Sequence, residues 1–559
     1  MITFFLFHSS PGDSKGIRSS PTLEVDGCNS NSDSTGSALD YPHLYRPSRN
    51  PSMCISISTS KIIPSLPEDV LFMIFQHLSL QDVLSIRRVC RSFKDITHSR
   101  GLWVLILRKE VWDRDIPTPR FNLDHLSSAQ IEKQVAISLH LHLNWTSKSP
   151  KVIRRRHVTV ATPRARITSL HFITLGECSC LLSFSLKSRV EPRTVTIECW
   201  DLSSLRCKAR RTVQWFGGYA VNSDPEMSFK LQGLIMQKVA DFHSVEILAF
   251  DPSASSADLA LIPLITLNTA AKSILSFSGT TVIFRTPNDE LKILDIIRPF
   301  YEIKLEDRQP FVPPNQPDSF EAVLDNEYAI ILRPKTLALY SLGTFRRGSH
   351  PPSASLSPSQ VHEFQWRIDS CVMQRQISPS APYLSNDSKP STLNILIRYS
   401  SLFPWPVNLL HHYTLYPNDS YISSATNKHS STTTGFAITS NNLPYKFPPV
   451  LSQTIVSPVR LFAITDMALG PYGTAVWFDS HTDYHGEVGQ RLAGLMLDRE
   501  ETGSNNITAA DQVSTMPSMV FGAHEKDDWN RLAIDEGEGC IAVGSTTGEI
   551  IIEDYAERQ

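Results

Sequence analysis

The sequence predicts an α+β multidomain chain, a small all-α module followed by a large all-β domain. Three observations predict it: apolar side chains recur at helical spacing over residues 62–111, the period switches to two from Lys151 onward, and no comparable helical pattern interrupts the rest. At 559 residues the chain is long enough for two or three folded units. A composition of 41% apolar and 19% charged residues supports a large core and excludes a wholly disordered chain. The 53 basic and 56 acidic residues leave a net charge of −3, which excludes a whole-chain electrostatic grip on nucleic acid or anionic lipid. Any charged partner must meet a local patch.

Residues 1–61 form the first element, a disordered leader. Ser, Asn, Asp, Pro and Gly dominate it, and it holds too few large apolar side chains to offset the entropy of ordering. The apolar run at residues 2–7 lacks a basic flank and is shorter than a signal peptide's apolar core. No window approaches about 18 consecutive apolar residues, so the expectation is a soluble intracellular chain without a membrane span. Nine cysteines without a CxxC pair predict reduced thiols.

The second element, 62–111, is a compact module of three or four short helices. After Val70, the side chains Leu71, Ile74, Phe75 and Leu78 are expected to fill one helical face. Ser79 is placed to cap a second helix with Asp82 three residues on, and that helix carries Val83, Leu84 and Ile86. Val89, Cys90, Phe93 and Ile96 follow, then Leu102, Trp103, Leu105, Ile106 and Leu107. Between 112 and 150 a linker helix is expected at about 128–144, where Ile131, Val135, Leu139 and Leu143 recur every four residues before Trp145.

The last element, 151–559, is read as short strands separated by polar turns. The clearest runs are 193–202, 245–251, 281–285, 291–296, 328–332, 336–342, 393–399, 474–478 and 540–555. So many strands must remove their sheet edges, and a β-propeller does so by repeating small antiparallel sheets around an axis. Several units end alike, as in Cys199-Trp200-Asp201-Leu202, Ile293-Leu294-Asp295-Ile296 and Ile552-Glu553-Asp554-Tyr555. Residues 540–551 carry a hairpin signature, two alternating strands around Gly548, like the inner hairpin of a WD-type blade. Strand spacing gives about six or seven blades. A two-sheet sandwich array is the alternative, and pairing of the strand near Val158 with the chain end at Tyr555 would decide for a closed ring. The polar stretches 346–360, 378–392 and 418–443 are expected to be surface loops or disordered insertions.

The helical module carries the functional information. It opens Leu66-Pro67-Glu68, continues through Ile74-Phe75 and Leu78 to Leu80-Gln81-Asp82-Val83-Leu84, then Val89-Cys90-Arg91-Ser92-Phe93, and closes Leu102-Trp103. This run resembles an F-box; Phe93 stands where the family more often has Trp. Independently of the family, the module holds more apolar side chains than it can hide, and exposed apolar helices seek a partner groove. The resemblance implies that the partner is a Skp-type adaptor, which links F-box proteins to a cullin-RING ubiquitin ligase. The residues it assigns to adaptor contact are Leu66, Pro67, Ile74, Leu84, Val89, Cys90 and Phe93, whereas Phe75, Leu78 and Trp103 are expected inside the module. In that scheme the β domain recruits a protein target that the sequence does not identify. Trp366, Trp405, Trp477 and Trp529 are candidate anchors there, with core packing the favoured reading for each.

Signatures of chemistry are missing from the sequence: it holds no Gly-rich phosphate loop, no GxSxG elbow and no HExxH. The expectation is a non-catalytic chain without cofactor or metal. His140 and His142 diverge on a helix, His411-His412 is equally unconvincing, and Cys178 and Cys180 lack a second pair for zinc. A basic cluster, Lys148, Lys151, Arg154, Arg155, Arg156, Arg164 and Arg166, then Arg206, Lys208, Arg210 and Arg211, offers a nuclear-import signal or nucleic-acid patch as the alternative to a solvated strand face. No aromatic interleaving supports single-strand binding. The sequons at Asn144, Asn386, Asn418 and Asn506 are expected to be unmodified in an intracellular chain. The reading is therefore a substrate-receptor subunit of an SCF-type ligase, cytoplasmic or nuclear, with an F-box scaffold acting outside any ligase as the alternative.

Overall fold

The computed structural model describes residues 66–557, apart from a set of internal segments of which the longest are 225–232, 251–259, 307–320, 343–354, 378–389, 400–407, 423–441, 458–465 and 498–513. The expected leader and most of the three polar stretches lie outside the described residues.

Four short helices come first, α1 (Glu68–Phe75), α2 (Leu80–Ile86), α3 (Arg91–Thr97) and α4 (Arg100–Ile106), followed by a π-helical turn, Leu107–Trp112. Segments this short are marginal in isolation and depend on caps and packing. Ser79 caps α2, accepting from the Asp82 amide at 3.3 Å, while its hydroxyl donates to the Asp82 carboxylate at 2.7 Å. Ser99 accepts from the Leu102 amide at 3.4 Å to start α4. Leu71, Phe75, Val83, Phe93, Leu102 and Trp103 meet in one core, with Phe75 and Phe93 edge to face at 5.5 Å between ring centres.

The fifth helix, α5 (Ser128–Trp145), opens on a capping box in which Ser127 and Gln130 serve each other's backbone amides at 2.8 and 3.3 Å. Its two halves belong to different cores. Ile131 and Val135 extend the core of α1–α4, whereas Leu141 and Trp145 pack with Phe521, Ile541 and Tyr555 of the β domain. Arg87, at the end of α2, ties the first half down: its guanidinium donates to Glu132 at 2.8 and 3.0 Å and lies over the Trp103 ring at 5.7 Å.

The β domain consists, among the described residues, of seven sheets, each built on four antiparallel strands taken largely in chain order, with a fifth, parallel strand on two of them. We number them as blades: 166–214, 216–268, 273–305, 321–363, 368–457, 467–524, and a seventh made by 529–554. First strands of neighbouring blades touch around an axis, those of blades 1 and 2 through His171 and Tyr219 and including those of blades 7 and 1, so the sheets form a propeller rather than a sandwich array. The seventh blade takes its outermost strand from the start of the domain. Arg154–Thr159 pairs antiparallel with Glu549–Asp554, placing Val158 opposite Ile550 and Arg154 opposite Asp554. The ring is thus closed by the two ends of the domain.

Predicted strands recur with small boundary shifts: Thr281–Arg285, Tyr328–Leu332 and Leu393–Tyr399 have the expected bounds, and the 540–551 hairpin appears as Cys540–Ser545 and Glu549–Asp554. Two short strands were not anticipated. Ser355–Leu356 adds to blade 3 parallel to Lys304 and Leu305, and Ser514–Pro517 adds to blade 5 parallel to residues 453–456.

Candidate functional site

Pro67 begins the candidate surface. Its extended conformation and carbonyl, which accepts from the Val70 and Leu71 amides at 3.1 Å each, set the first turn of α1. From there the helix divides its apolar side chains between two faces. Leu71 and Phe75 are buried, while Val70, Met73 and Ile74 point outward, Met73 being 61% exposed. Leu84 on α2 and Val89 before α3 are exposed as well, Val89 at 69%. Small helices thereby keep a core and still present an apolar surface.

The seven residues assigned from the resemblance are distributed over this surface unequally. Pro67, Ile74, Leu84 and Val89 are exposed, and Leu66 and Cys90 are half-buried against the module core. Phe93 stands apart from the other six: its ring sits inside the module against Phe75, where it helps α3 to close the core. Ile74, expected on the same face as Leu71 and Phe75, lies on the opposite side. Val70 and Met73 were missed. An apolar run in which 70, 73 and 74 form one stripe and 71 and 75 another was the available signal.

The propeller settles other sequence candidates. Trp477 is fully buried, its indole N–H donating to Ser457 and Asp479 at 2.9 Å, and Trp529 is also buried. Trp366 differs from the core expectation: it is 59% exposed on the turn between blades 4 and 5, because Phe364 and Ile368 on either side fill the core positions. Trp405 lies outside the described residues. Strands alternate in direction, so this turn is at the opposite face from Tyr472 and Gly537, the first-to-second-strand turns that meet the segment around Thr118.

Much of the basic cluster is committed to ion pairs. Arg155 pairs with Glu553 at 2.6 Å, Arg210 with Glu198 at 2.8 Å, Arg211 with Glu246 at 2.9 Å and Lys208 with Asp201 at 2.9 Å, while Arg156 pairs with Asp554 in the interior. Arg155 and Arg210 remain half-exposed, so the strand-face reading accounts for them. Among the described residues, no group of His, Cys, Asp and Glu is arranged to hold a metal ion, and no helix is long and apolar enough to cross a membrane. The described cysteines are free thiols. A hydrogen bond to Cys180, reinforced by burial, pushes the Cys199 thiol far above its ordinary range, which keeps it neutral. Asn144 is structural, its side chain bonding the backbone of Lys151 and Tyr555.

Residues 63–109 match the family described as F-box-like. No curated protein matches the chain. Among solved structures, the WD40 β-propeller domain of Doa1 is similar at 11% identity, covering 72% of this chain and 97% of that one with a TM-score of 0.35. The Neurospora crassa Pan2 WD40 domain is similar at 10% identity, with 74% and 96% covered and a TM-score of 0.34. The WD40 domain of Toxoplasma gondii coronin stands at 8% identity, 73% and 89% covered, with a TM-score of 0.36. At these scores the propeller rests on the strand pairing described above. The chain therefore joins an F-box-like module to a β-propeller.

Proposed function

We propose that this chain is the substrate-receptor subunit of an SCF-type cullin-RING ubiquitin ligase, its F-box-like module engaging a Skp-type adaptor and, through it, a cullin. The observation that carries the reading is the apolar surface of Val70, Met73, Ile74, Leu84 and Val89 on a module whose own core is already filled. Covering such a surface is favourable, and a helical groove partner covers it. The propeller holds a protein target, and we place that target on the face bearing Trp366, away from the helices. The chain performs no chemistry itself; it raises the effective concentration of the target beside the ligase, in the cytoplasm or nucleus.

The test is an affinity pulldown of wild type beside Leu66→Ala/Pro67→Ala and Met73→Asp/Ile74→Asp variants, probed for adaptor and cullin. Capture of both by wild type and of neither by the variants supports the ligase receptor. Adaptor without cullin points to a scaffold outside the ligase, and capture unchanged by both variants overturns the surface assignment.

A further inference from the structure

Ser357 and Pro358 lie on a segment that the function proposed above does not use, the short fifth strand of blade 3 and its exit. Ser355–Leu356 runs parallel to Lys304 and Leu305, and the chain then crosses to Gln360–Glu363, the outer strand of blade 4. The attachment is slight. The Leu356 carbonyl accepts from the Glu306 amide at 2.9 Å, and the Leu356 side chain is half-buried against the core shared by blades 3 and 4. One carboxylate grips the segment twice: Glu306 takes the Ser355 hydroxyl on Oε1 at 2.8 Å and the Ser357 hydroxyl on Oε2. Ser357 is exposed, and the next residue is proline. Thr118, Thr286 and Ser457 also precede prolines, but all three are buried.

We propose that Ser357 is a phosphorylation site for a proline-directed serine/threonine kinase, and that its phosphate detaches the fifth strand from blade 3. The kinase joins the Ser357 Oγ to the γ-phosphorus of ATP. The bond from that phosphorus to the bridging oxygen breaks, ADP leaves, and the hydroxyl proton passes to the kinase's base. A kinase needs its acceptor on an accessible, extended stretch of chain, and a strand of two residues opens locally at small cost. Before modification the Ser357 hydroxyl donates to Glu306. Afterward that donor is gone, and a group of about −1.5 to −2 charge stands against the same carboxylate. Neighbouring cations are already engaged: Lys304 pairs with Glu290 at 2.5 Å and Lys292 with Glu302, so three glutamates, Glu306 included, stand beside two lysines. Arg333 of blade 4 is buried, its guanidinium on the Tyr340 hydroxyl at 3.4 Å. Like charges in contact favour the detached strand, and the edge of Glu302–Leu305 is uncovered when it leaves. The kinase captures the open segment, and the phosphate keeps it open.

The experiment uses the full chain, a purified proline-directed kinase and magnesium ATP, with occupancy mapped by mass spectrometry and backbone opening followed by hydrogen exchange. Ser357 is expected to reach about half occupancy or more in the folded protein, and Ser357→Ala to remove that phosphate and no other. On the phosphorylated chain, the amides of 302–306 and 355–357 are expected to exchange about fivefold faster or more, while those of 453–456, beside the other parallel strand, keep their rate. In Glu306→Gln, which lacks the carboxylate, the same phosphate is expected to accelerate exchange about twofold or less. An occupancy of Ser357 below about a tenth would overturn the site. Unchanged or slowed exchange at 302–306 in the phosphorylated chain would overturn the release, as would an undiminished acceleration in Glu306→Gln.

Discussion

The side-chain amide of Asn144 donates to the backbone carbonyl of Tyr555 at 3.0 Å, joining the last turn of α5 to the exit of the last strand across 411 positions of sequence. The same side chain bonds Lys151 twice at 2.8 Å, once as donor and once as acceptor. Beside it, the Trp145 ring meets Phe521 and Tyr555 edge-on at 6.2 and 6.0 Å. Asn144 and Trp145, with Leu141 beside them, therefore anchor the helices to the closing blade.

Trp145→Ala removes the aromatic and leaves a cavity at a fully buried position, an expected loss of about 3–5 kcal/mol. Thermal unfolding reads the loss, and limited proteolysis should open new cleavage between α5 and the first strand. The proposed adaptor surface lies on α1 and α2, so adaptor capture should persist. Loss of capture together with wild-type thermal stability would show that the joint has been misassigned.

Gly537 is required by close approach rather than by conformation. A Cβ at that position would sit 2.6 Å from the Thr118 carbonyl oxygen, backbone against side chain across the joint. Gly537→Ala must push the segment before α5 away, and we expect a cost of about 1–3 kcal/mol in thermal or denaturant unfolding. An unchanged midpoint would mean that the Thr118 segment moves freely.

Met73 and Phe93 should separate surface from core. Met73→Asp, at a 61% exposed position, is expected to change stability by no more than about 0.5 kcal/mol and to abolish adaptor capture. Phe93→Ala empties the socket against Phe75 and is expected to cost about 3–5 kcal/mol. Urea unfolding and pulldown on the same samples decide; a silent Phe93→Ala would return that ring to the surface.

Acid should weaken blade 5. Burial lowers the His412 pKa from 6.5 to about 4, with its Nε2 facing the Asn394 side-chain oxygen at 3.1 Å. The unfolded chain binds the proton first, so stability present above about pH 6.5 is lost as pH falls toward about 4, by about 3 kcal/mol in all. His412→Gln should flatten that part of the curve measured by denaturant titration. A variant with the wild-type slope would assign the acid sensitivity elsewhere.

Local signals were legible in the sequence, and long-range ones were not. The Ser79–Asp82 cap and the 540–551 hairpin involve neighbours in sequence and appear where the residues place them. The stripe on α5 shows how a correct helix can carry a wrong face. Steps of four residues advance about 40° beyond a full turn each, so a stripe begun at Ile131 and Val135 drifts toward solvent by Leu143, which is 69% exposed. The buried stripe runs instead through Ser138, Leu141 and Trp145. Arg155 and Arg156 look like a basic patch because their carboxylates stand 398 positions away. Ser355–Leu356 was illegible because two residues carry no periodicity.

Those short parallel strands have a consequence for synthesis. Blade 3 is finished by Ser355–Leu356, which the ribosome delivers only after Thr336–Ser341 of blade 4, and blade 5 waits likewise for Ser514–Pro517, which follows Val488–Met496 of blade 6. Neither blade can mature before most of its successor has emerged. Blade 3 therefore ripens with blade 4 and blade 5 with blade 6, and the strand Arg154–Thr159 finds its partner only once the hairpin Cys540–Asp554 has emerged.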